Sequence, residues 1–244
     1  MHTPFPLLAL SLALATAPAL AIDIGHRTTG DKTTSQDRQM AWRYRTLAAG
    51  LDAFERSAPA LAPGAALAFA LPKLDPAEAG IEVVLQHGKD KVALPMAGQA
   101  SFTLVRLPGA GTDARVLANR QFQPGQYLHP DVRVRTPGLA PETRRLGDLR
   151  LACAVQTTMA KNDTVGLRAV MAAASLFSGT LCDGTPVTNL DAPVGSYQHI
   201  VIDDGTRRVV QPIAGSDAAV LRLGDASWGN DTRIQFVPTG NPVQ

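Results

Sequence analysis

The chain has little excess charge and few aromatic side chains. Its 244 residues include 23 Lys and Arg against 21 Asp and Glu, so the net charge is only +2. No strong electrostatic field therefore favours nucleic acid or an anionic membrane, and we expect no nucleic-acid partner. Aromatic residues make up 5% of the chain, which leaves few platforms on which sugars or single-stranded nucleic acid could stack.

The sequence also lacks the common motifs of catalysis and cofactor binding. It contains no Gly-x-Ser-x-Gly, His-Glu-x-x-His or Gly-x-x-x-x-Gly-Lys motif and no EF-hand calcium loop. Its few glutamates form no evident pair for glycoside chemistry. We therefore predict no catalytic residues, no metal site and no cofactor, and the ligand-binding residues stay undefined.

Few histidines are available as bases or metal ligands. Beyond the N-terminal apolar segment they are His26, His87, His129 and His199. His199 and Asp203 would suit a metal or acid–base pair, but four residues along a strand span roughly 13 Å, too far to share one ion. We interpret His199 as a hydrogen-bonding neighbour of Tyr197 on one strand face. Ser196 has no placed base, so a hydrolase with a dispersed Ser, His and Asp site is kept as the alternative function.

Cysteine is scarce, and the two that occur, Cys153 and Cys182, lack the spacing of metal ligands. In an oxidising compartment we expect them to form a disulfide, which would stabilise the fold by roughly 3 to 4 kcal/mol. The alternative is two buried free thiols. In a helical hairpin the two cysteines would lie roughly 16 Å apart, so the disulfide requires the segment after Gly179 to fold back across the preceding helix.

The N-terminus carries a pattern typical of an export signal. A short apolar stretch over residues 7–15 is followed by Ala19-Leu20-Ala21, a small-x-small site, which predicts a signal peptide over residues 1–21 cleaved between Ala21 and Ile22. The stretch is too short to span roughly 30 Å of hydrocarbon comfortably, although an uncleaved membrane anchor is the alternative. We expect no transmembrane segment after cleavage. Arginine outnumbers lysine and alanine is abundant, which favours a bacterial protein in the periplasm or secreted from the cell.

Residues 22–62 are predicted to form a lead-in and an amphipathic helix. Thr34 fits a helix N-cap with Asp37 at the third helical position, and Pro59 should end the helix before it. Apolar residues then follow at spacings of three and four, on one helical face: Met40, Tyr44, Leu47, Ala48, Leu51 and Phe54.

Two regions, residues 63–138 and 183–244, alternate apolar and polar residues as half-buried strands do. In the first, Ile81 to Leu85 and Val92 to Leu94 flank a turn at residues 87–90, and Val132 and Val134 mark a further strand. In the second, residues 200–202 and 206–210 flank Asp203-Asp204-Gly205, which predicts a hairpin with Gly205 at positive φ.

Residues 139–182 differ and are predicted to be a helical insertion. Pro141-Glu142 suits a helix start, and Leu146, Leu149 and Cys153 can share one face. Leu149, Leu151, Cys153 and Val155 also alternate as a strand would, but the alanines between them favour a helix over residues 146–157. A second helix is predicted from Val165 to Phe177, ending at Gly179.

These elements predict an α+β, mainly β fold: an antiparallel β-sandwich-like body with an N-terminal amphipathic helix and a helical insertion. Residues 63–244 should form one domain.

The β region resembles a known class of module. Val83-Val84-Leu85, the following turn, and residues 98–104 with Leu107-Pro108-Gly109 resemble the strand–turn–strand pattern of carboxypeptidase-regulatory-like and transthyretin-like β-sandwich modules, over about residues 80–120. Pro193-Val194-Gly195-Ser196-Tyr197 resembles a strand entry common in such modules. The resemblance implies an accessory or binding module with no catalytic residues to carry over.

The charges are unevenly distributed along the chain. Residues 106–150 carry an excess of arginine, whereas residues 163–244 carry an excess of Asp. Either the basic stretch binds an anionic envelope ligand or it is an ordinary solvated face. We predict an exported, non-enzymatic binding or structural module whose partner is an envelope protein or an anionic envelope ligand.

Overall fold

Most of the described chain is β-structure. The computed structural model describes residues 39–71, 80–98, 100–109, 113–121, 129–163, 181–187, 197–213 and 221–240. All of these belong to one unit, Ser35–Gln244. The helices of the described residues are α1 (Tyr44–Leu61) and α2 (Leu146–Lys161). The strands of these residues are β1 (Gln39–Arg43), β2 (Ala66–Ala70), β3 (Val83–His87), β4 (Asp90–Ala93), β5 (Ser101–Phe102), β6 (Arg115–Gln121), β7 (Asp131–Arg135), β8 (Thr143–Arg145), β9 (Tyr197–Asp203), β10 (Arg208–Pro212) and β11 (Arg233–Pro238).

The strands of the described residues form three sheets with antiparallel pairing. Sheet A has the order β1-β6-β3-β4, sheet B the order β5-β2-β7, and sheet C the order β10-β9-β11-β8. The predicted α+β, mainly β class is confirmed. The β9–β10 hairpin is confirmed too, with Gly205 at φ 87° in its turn.

The start of the first helix was predicted wrongly. Residues Gln39–Arg43 form strand β1, which pairs with β6, and α1 begins only at Tyr44. Met40 and Trp42 are buried and Gln39 and Arg43 exposed, a period of two that matches a strand. Met40 and Tyr44 are four residues apart, a spacing that places two side chains on the same face of a helix and also on the same face of a strand.

The end of the first helix was also predicted wrongly, because α1 continues through Pro59 to Leu61. Proline costs the helix one backbone hydrogen bond, here the bond to the carbonyl of Glu55, a residue on the exposed side of the helix. The last turn is closed one bond further on, where Ala62 N–H donates to the carbonyl of Ala58 at 2.9 Å.

Helix α2 is the element on which the two hydrophobic cores meet. Leu151 and Val155 pack into the larger core, with α1, sheet A and sheet B. Leu149 and Cys153 pack into the smaller core, with sheet C. The alternation that resembled a strand is therefore a helix buried on two sides, and the predicted helix is confirmed. It begins at Leu146, later than Pro141-Glu142 indicated, since residues 143–145 are taken up by β8 pairing with β11.

Several sequence predictions lie outside the described residues. They are the signal peptide 1–21 with its cleavage site at Ala21 and Ile22, the Thr34 cap with Asp37, His26, the second helix Val165 to Phe177 with Gly179, and Ser196. Neither helix of the described residues is long and apolar enough to cross a membrane.

Candidate functional site

The N-terminal end of α2 is hydrogen-bonded to the backbone of residues 230–232, just before strand β11. Leu146 N–H donates to the carbonyl of Thr232 and Gly147 N–H to the carbonyl of Asn230, both at 2.9 Å. These bonds satisfy two of the backbone donors that every helix start leaves free. A Cβ atom on Gly147 would overlap the carbonyl oxygen of Leu61, so glycine lets the end of α1 approach α2 closely.

Arg150, one turn further along α2, fixes the loop of residues 223–230. Its Nε donates to the carbonyl of Leu223 at 2.8 Å, and Nη1 donates to Oδ1 of Asn230 at 2.6 Å. Its Nη2 donates to the carbonyls of Asp225 at 2.9 Å and Trp228 at 3.1 Å. One side chain thus binds the loop at four points, all of them neutral oxygen atoms.

The charge of Arg150 is partly balanced by nearby carboxylates. Burial lowers the pKa of its guanidinium, while Asp225 and Asp183 act in the opposite direction. The pKa of Asp225 is itself lowered, mainly because its carboxylate accepts a hydrogen bond from Ser227. This end of the site therefore contains a cation and two anions within electrostatic range of one another.

Trp228 is the aromatic residue of the loop 223–230. It is buried at 6% exposure, and the guanidinium carbon of Arg207 lies 3.5 Å from its ring centroid. Arg207 also donates to the carbonyl of Ser227 at 2.9 Å. The stacked cation and the hydrogen bond restrict the position of the indole.

A second wall consists of residues 181–183, and a disulfide attaches it to α2. Cys153 and Cys182 are at disulfide distance, with their Cα atoms 5.9 Å apart, as predicted from the sequence. Thr157 Oγ1 lies 3.6 Å from the sulfur of Cys182. Gly224 N–H donates to the carbonyl of Asp183 at 3.1 Å, and a Cβ on Gly224 would overlap the backbone of Asp183. The chain after residue 180 thus returns to α2, as the disulfide requires.

An open cavity of about 850 Å³, here called the groove, lies between these walls. Its floor is one face of α2, where lining residues follow at spacings of four, seven, eight and eleven: Arg150, Ala154, Thr157, Thr158 and Lys161. Eleven residues of helix correspond to about 16 Å along the axis. Leu61 of α1, residues 181–183 and the loop 223–230 form the walls.

The histidine singled out from the sequence does not lie in the groove. His199 is on β9, opposite Pro212 and Val237, and its Nδ1 is buried without a hydrogen-bond partner among the described residues. Asp203, at the other end of β9, accepts a hydrogen bond from Gly205 N–H at 2.7 Å. The structure therefore does not bring His199 and Asp203 together. Tyr197 packs edge-on against Phe236, with ring centroids 5.5 Å apart.

A different histidine has a carboxylate partner that the sequence did not indicate. His129 Nε2 lies 2.8 Å from Asp163 Oδ2, and both side chains are largely covered. The two residues are far apart in the chain and belong to no motif, so their pairing depends on how α2 and β7 pack. His87 and Asp113 form a longer, exposed contact at 3.6 Å.

The arginine-rich stretch is largely used within the protein. Arg106 pairs with Asp52 and Glu55, Arg145 pairs with Asp231, and Arg144 is buried. With Arg150, three of its arginines are bonded to distant parts of the chain, and Arg144 donates to the nearby carbonyls of Pro141 and Thr143. These four do not form an exposed basic patch. Within the described ranges, no group of three or more His, Cys, Asp or Glu side chains could hold a metal ion.

Comparisons with known proteins identify no relative of this chain. No protein-family model, no curated protein and no solved structure matches it. The resemblance to carboxypeptidase-regulatory-like and transthyretin-like modules stays a prediction, and the function is argued below from the groove.

Proposed function

We propose that the protein is an exported binding module, periplasmic or secreted, that holds a small ligand in the groove along α2 without transforming it. The groove itself is the observation that carries this proposal. Its volume of about 850 Å³ falls within the roughly 300–1,000 Å³ typical of small-molecule sites. Its walls are fixed by the disulfide and by the four bonds of Arg150, so the site is formed before a ligand arrives.

Export is supported by two independent features of the chain. The N-terminal apolar stretch with Ala19-Leu20-Ala21 is typical of a signal peptide. The cysteine pair at disulfide distance fits a compartment in which thiols oxidise.

The chemistry of the lining supports binding over catalysis. The hydroxyl of Thr158 donates to the carbonyl of Ala154 at 2.9 Å, and that of Thr157 lies against the sulfur of Cys182. Among the described residues, neither hydroxyl is bonded to a histidine or a carboxylate that could activate it as a nucleophile. The guanidinium of Arg150 is hydrogen-bonded to the loop 223–230 at four points.

The direct test is binding of N-phenyl-1-naphthylamine, an uncharged apolar fluorophore, followed by its emission. We expect saturable binding that Ala154→Trp abolishes, because the indole would occupy the groove. Gln156→Trp is the matched control, since it adds the same side chain to an exposed position of α2 outside the groove. Near-ultraviolet circular dichroism verifies folding of both variants. Equal binding by the wild type and a folded Ala154→Trp variant would refute the proposal.

The His129–Asp163 pair favours a second candidate, a hydrolase in which Asp163 orients His129 as a base. The test is a screen of the purified protein with p-nitrophenyl esters and phosphates. Turnover that disappears in folded His129→Ala but persists in His199→Ala would establish the hydrolase in place of the binding module.

A further inference from the structure

The two ends of the groove differ in how their charges are balanced. At the N-terminal end of α2, Arg150 bonds to four neutral oxygens and has Asp183 and Asp225 within electrostatic range. A negative ligand group there would be repelled by both carboxylates. The charge of Arg150 is thus partly balanced within the protein, and its donors are already bonded.

Lys161 marks the other end. It is the last residue of α2, lines the groove, is exposed, and forms no hydrogen bond or ion pair with any residue that the structure describes. The nearest acid along the chain, Asp163, is paired with His129. Lys161 is therefore available to bind an anion.

The lining of the groove is mostly apolar. Its apolar side chains come from four separate parts of the chain: Leu61, Ala154, Leu181, Leu223, Ala226 and Trp228. Leu223 and Trp228 are already buried, whereas Leu61, Ala154 and Leu181 are half-buried. An elongated apolar group would cover these three side chains and remove them from water, which is the main favourable contribution to binding in such a site.

We propose that the ligand is a single-chain amphiphile with an anionic head group, its apolar chain lying along α2 and its head group at Lys161. This inference rests on the proposed function and specifies its ligand. The groove extends for about 16 Å along α2, which matches an alkyl chain of medium length. The apolar chain provides most of the affinity, and Lys161 sets the orientation and the preference for negative charge.

The test compares three ligands of equal chain length: decanoate, decanol and decyltrimethylammonium. Each displaces N-phenyl-1-naphthylamine from the full chain at concentrations below micelle formation. We expect decanoate to bind most tightly and decyltrimethylammonium most weakly. Exposed ion pairs of this kind change affinity about two- to fivefold, and reversal of the charge in Lys161→Glu should approach tenfold for decanoate. Decanol binding should change less than about twofold, since an uncharged head group does not need Lys161.

Lys91→Glu is the matched control, because Lys91 is an exposed lysine of β4 that does not line the groove. It should leave all three affinities unchanged. Equal binding of the three ligands, or no effect of Lys161→Glu on decanoate, would refute the anionic amphiphile while leaving the groove as a binding site. If none of the three displaces the fluorophore and Ala154→Trp has no effect on fluorophore binding, the proposed function itself fails.

The same head group occurs on free amphiphiles and on membrane lipids. Sedimentation with phosphatidylglycerol vesicles separates these sources. We expect the protein to stay in the supernatant, because the groove accepts one chain rather than a surface. Sedimentation that depends on Lys161 would replace the free amphiphile with a membrane.

Discussion

The two cores on either side of α2 are built differently. Among the described residues, the larger core combines α1 with sheets A and B, and its centre is aromatic: Phe102 lies 6.1 Å from Trp42 and 5.6 Å from Phe69, centroid to centroid. The smaller core combines α2 with sheet C. Its margin is fixed by specific bonds, the disulfide and the hydrogen bonds of Arg150, and the groove lies there.

The larger core therefore contributes mainly to the stability of the protein, whereas the margin of the smaller core also determines the geometry of the groove. Apolar packing is non-directional and stabilises the unit as a whole, whereas a disulfide and a guanidinium hold particular segments at particular distances. We therefore expect substitutions in the larger core to change the free energy of unfolding, and substitutions at the margin of the smaller core to change the groove as well.

The largest effect on stability should follow from Phe102→Ala. Phe102 is fully buried, and its removal leaves a cavity against Trp42 and Phe69, which should lower the free energy of unfolding by about 3–5 kcal/mol. Urea denaturation measures this change. Phe102→Leu, which keeps much of the volume, should cost about 1.5 kcal/mol or less. N-phenyl-1-naphthylamine should bind the folded fraction as it binds the wild type, and weakened binding there would show that the two cores are not separable.

The double substitution Cys153→Ala and Cys182→Ala should come next. The disulfide closes a separation of 29 residues, and its loss should cost about 3 to 4 kcal/mol. Fluorophore binding should be lost as well, because residues 181–183 would no longer be attached to α2.

Hydrogen exchange by mass spectrometry gives the sharper result for the cysteine variant. Amide exchange should accelerate in the loop 223–230 and in sheet C well before it accelerates in sheet A. Wild-type protein reduced with dithiothreitol is the control and should behave like the variant. Uniform acceleration across all three sheets would contradict the separation of the two cores.

Arg150→Met should have a smaller effect on stability and a clear one on binding. Methionine keeps much of the apolar stem but none of the four donors, and we expect a loss of about 2 kcal/mol together with weaker fluorophore binding. Arg106→Met is the matched control, because it breaks an exposed arginine's pairs with Asp52 and Glu55. That variant should bind the fluorophore normally and unfold close to the wild type. Equal effects of the two substitutions would mean that the loop 223–230 does not depend on Arg150.

Local patterns in the sequence were sufficient to predict the fold class and two hairpins. Alternation and turn residues predicted the β3–β4 and β9–β10 hairpins, because both signals lie within a few consecutive residues. The start of α1 could not be predicted in the same way. Met40 would face the core in a helix and in a strand alike. Residues 39–43 form a strand because they pair with β6, which lies far along the chain.

The site was less accessible from the sequence than the fold. The cysteine pair could be predicted because the chain has only two cysteines after the N-terminal segment, and an oxidising compartment favours their pairing. Arg150 was grouped with a possible surface patch, although it is bonded to the loop 223–230, more than seventy residues further along the chain. His129 and Asp163 were missed for the same reason, since only the packing of the helices and sheets brings them together.

The smallest expected effect on the free energy of unfolding concerns Asp148, which joins α2 to Thr136 at the end of β7. Its buried carboxylate accepts hydrogen bonds from the Thr136 N–H at 2.8 Å and the Thr136 hydroxyl at 2.7 Å. Burial raises the pKa of Asp148, although the bonds from Thr136 and the charges of Arg145 and Arg135 act against this. Asp148→Asn keeps the shape but loses one acceptor, and we expect a loss of about 1 kcal/mol.

The stability difference between the wild type and Asp148→Asn should depend on pH. This dependence tests whether burial or the Thr136 hydrogen bonds and nearby arginines have the larger effect on the pKa of Asp148. An acid with a raised pKa in the folded state binds its proton more tightly there, so its contribution to stability is full below the unfolded pKa. It is lost as the pH rises through the folded pKa, by about 1.4 kcal/mol for each unit between the two values. Urea denaturation of wild type and Asp148→Asn at several pH values should therefore show the wild type losing stability relative to the variant from about pH 4 upward. If the wild type instead gains on the variant over this range, the hydrogen bonds and arginines outweigh burial, and Asp148 attaches α2 to the larger core as a carboxylate whose pKa is lowered.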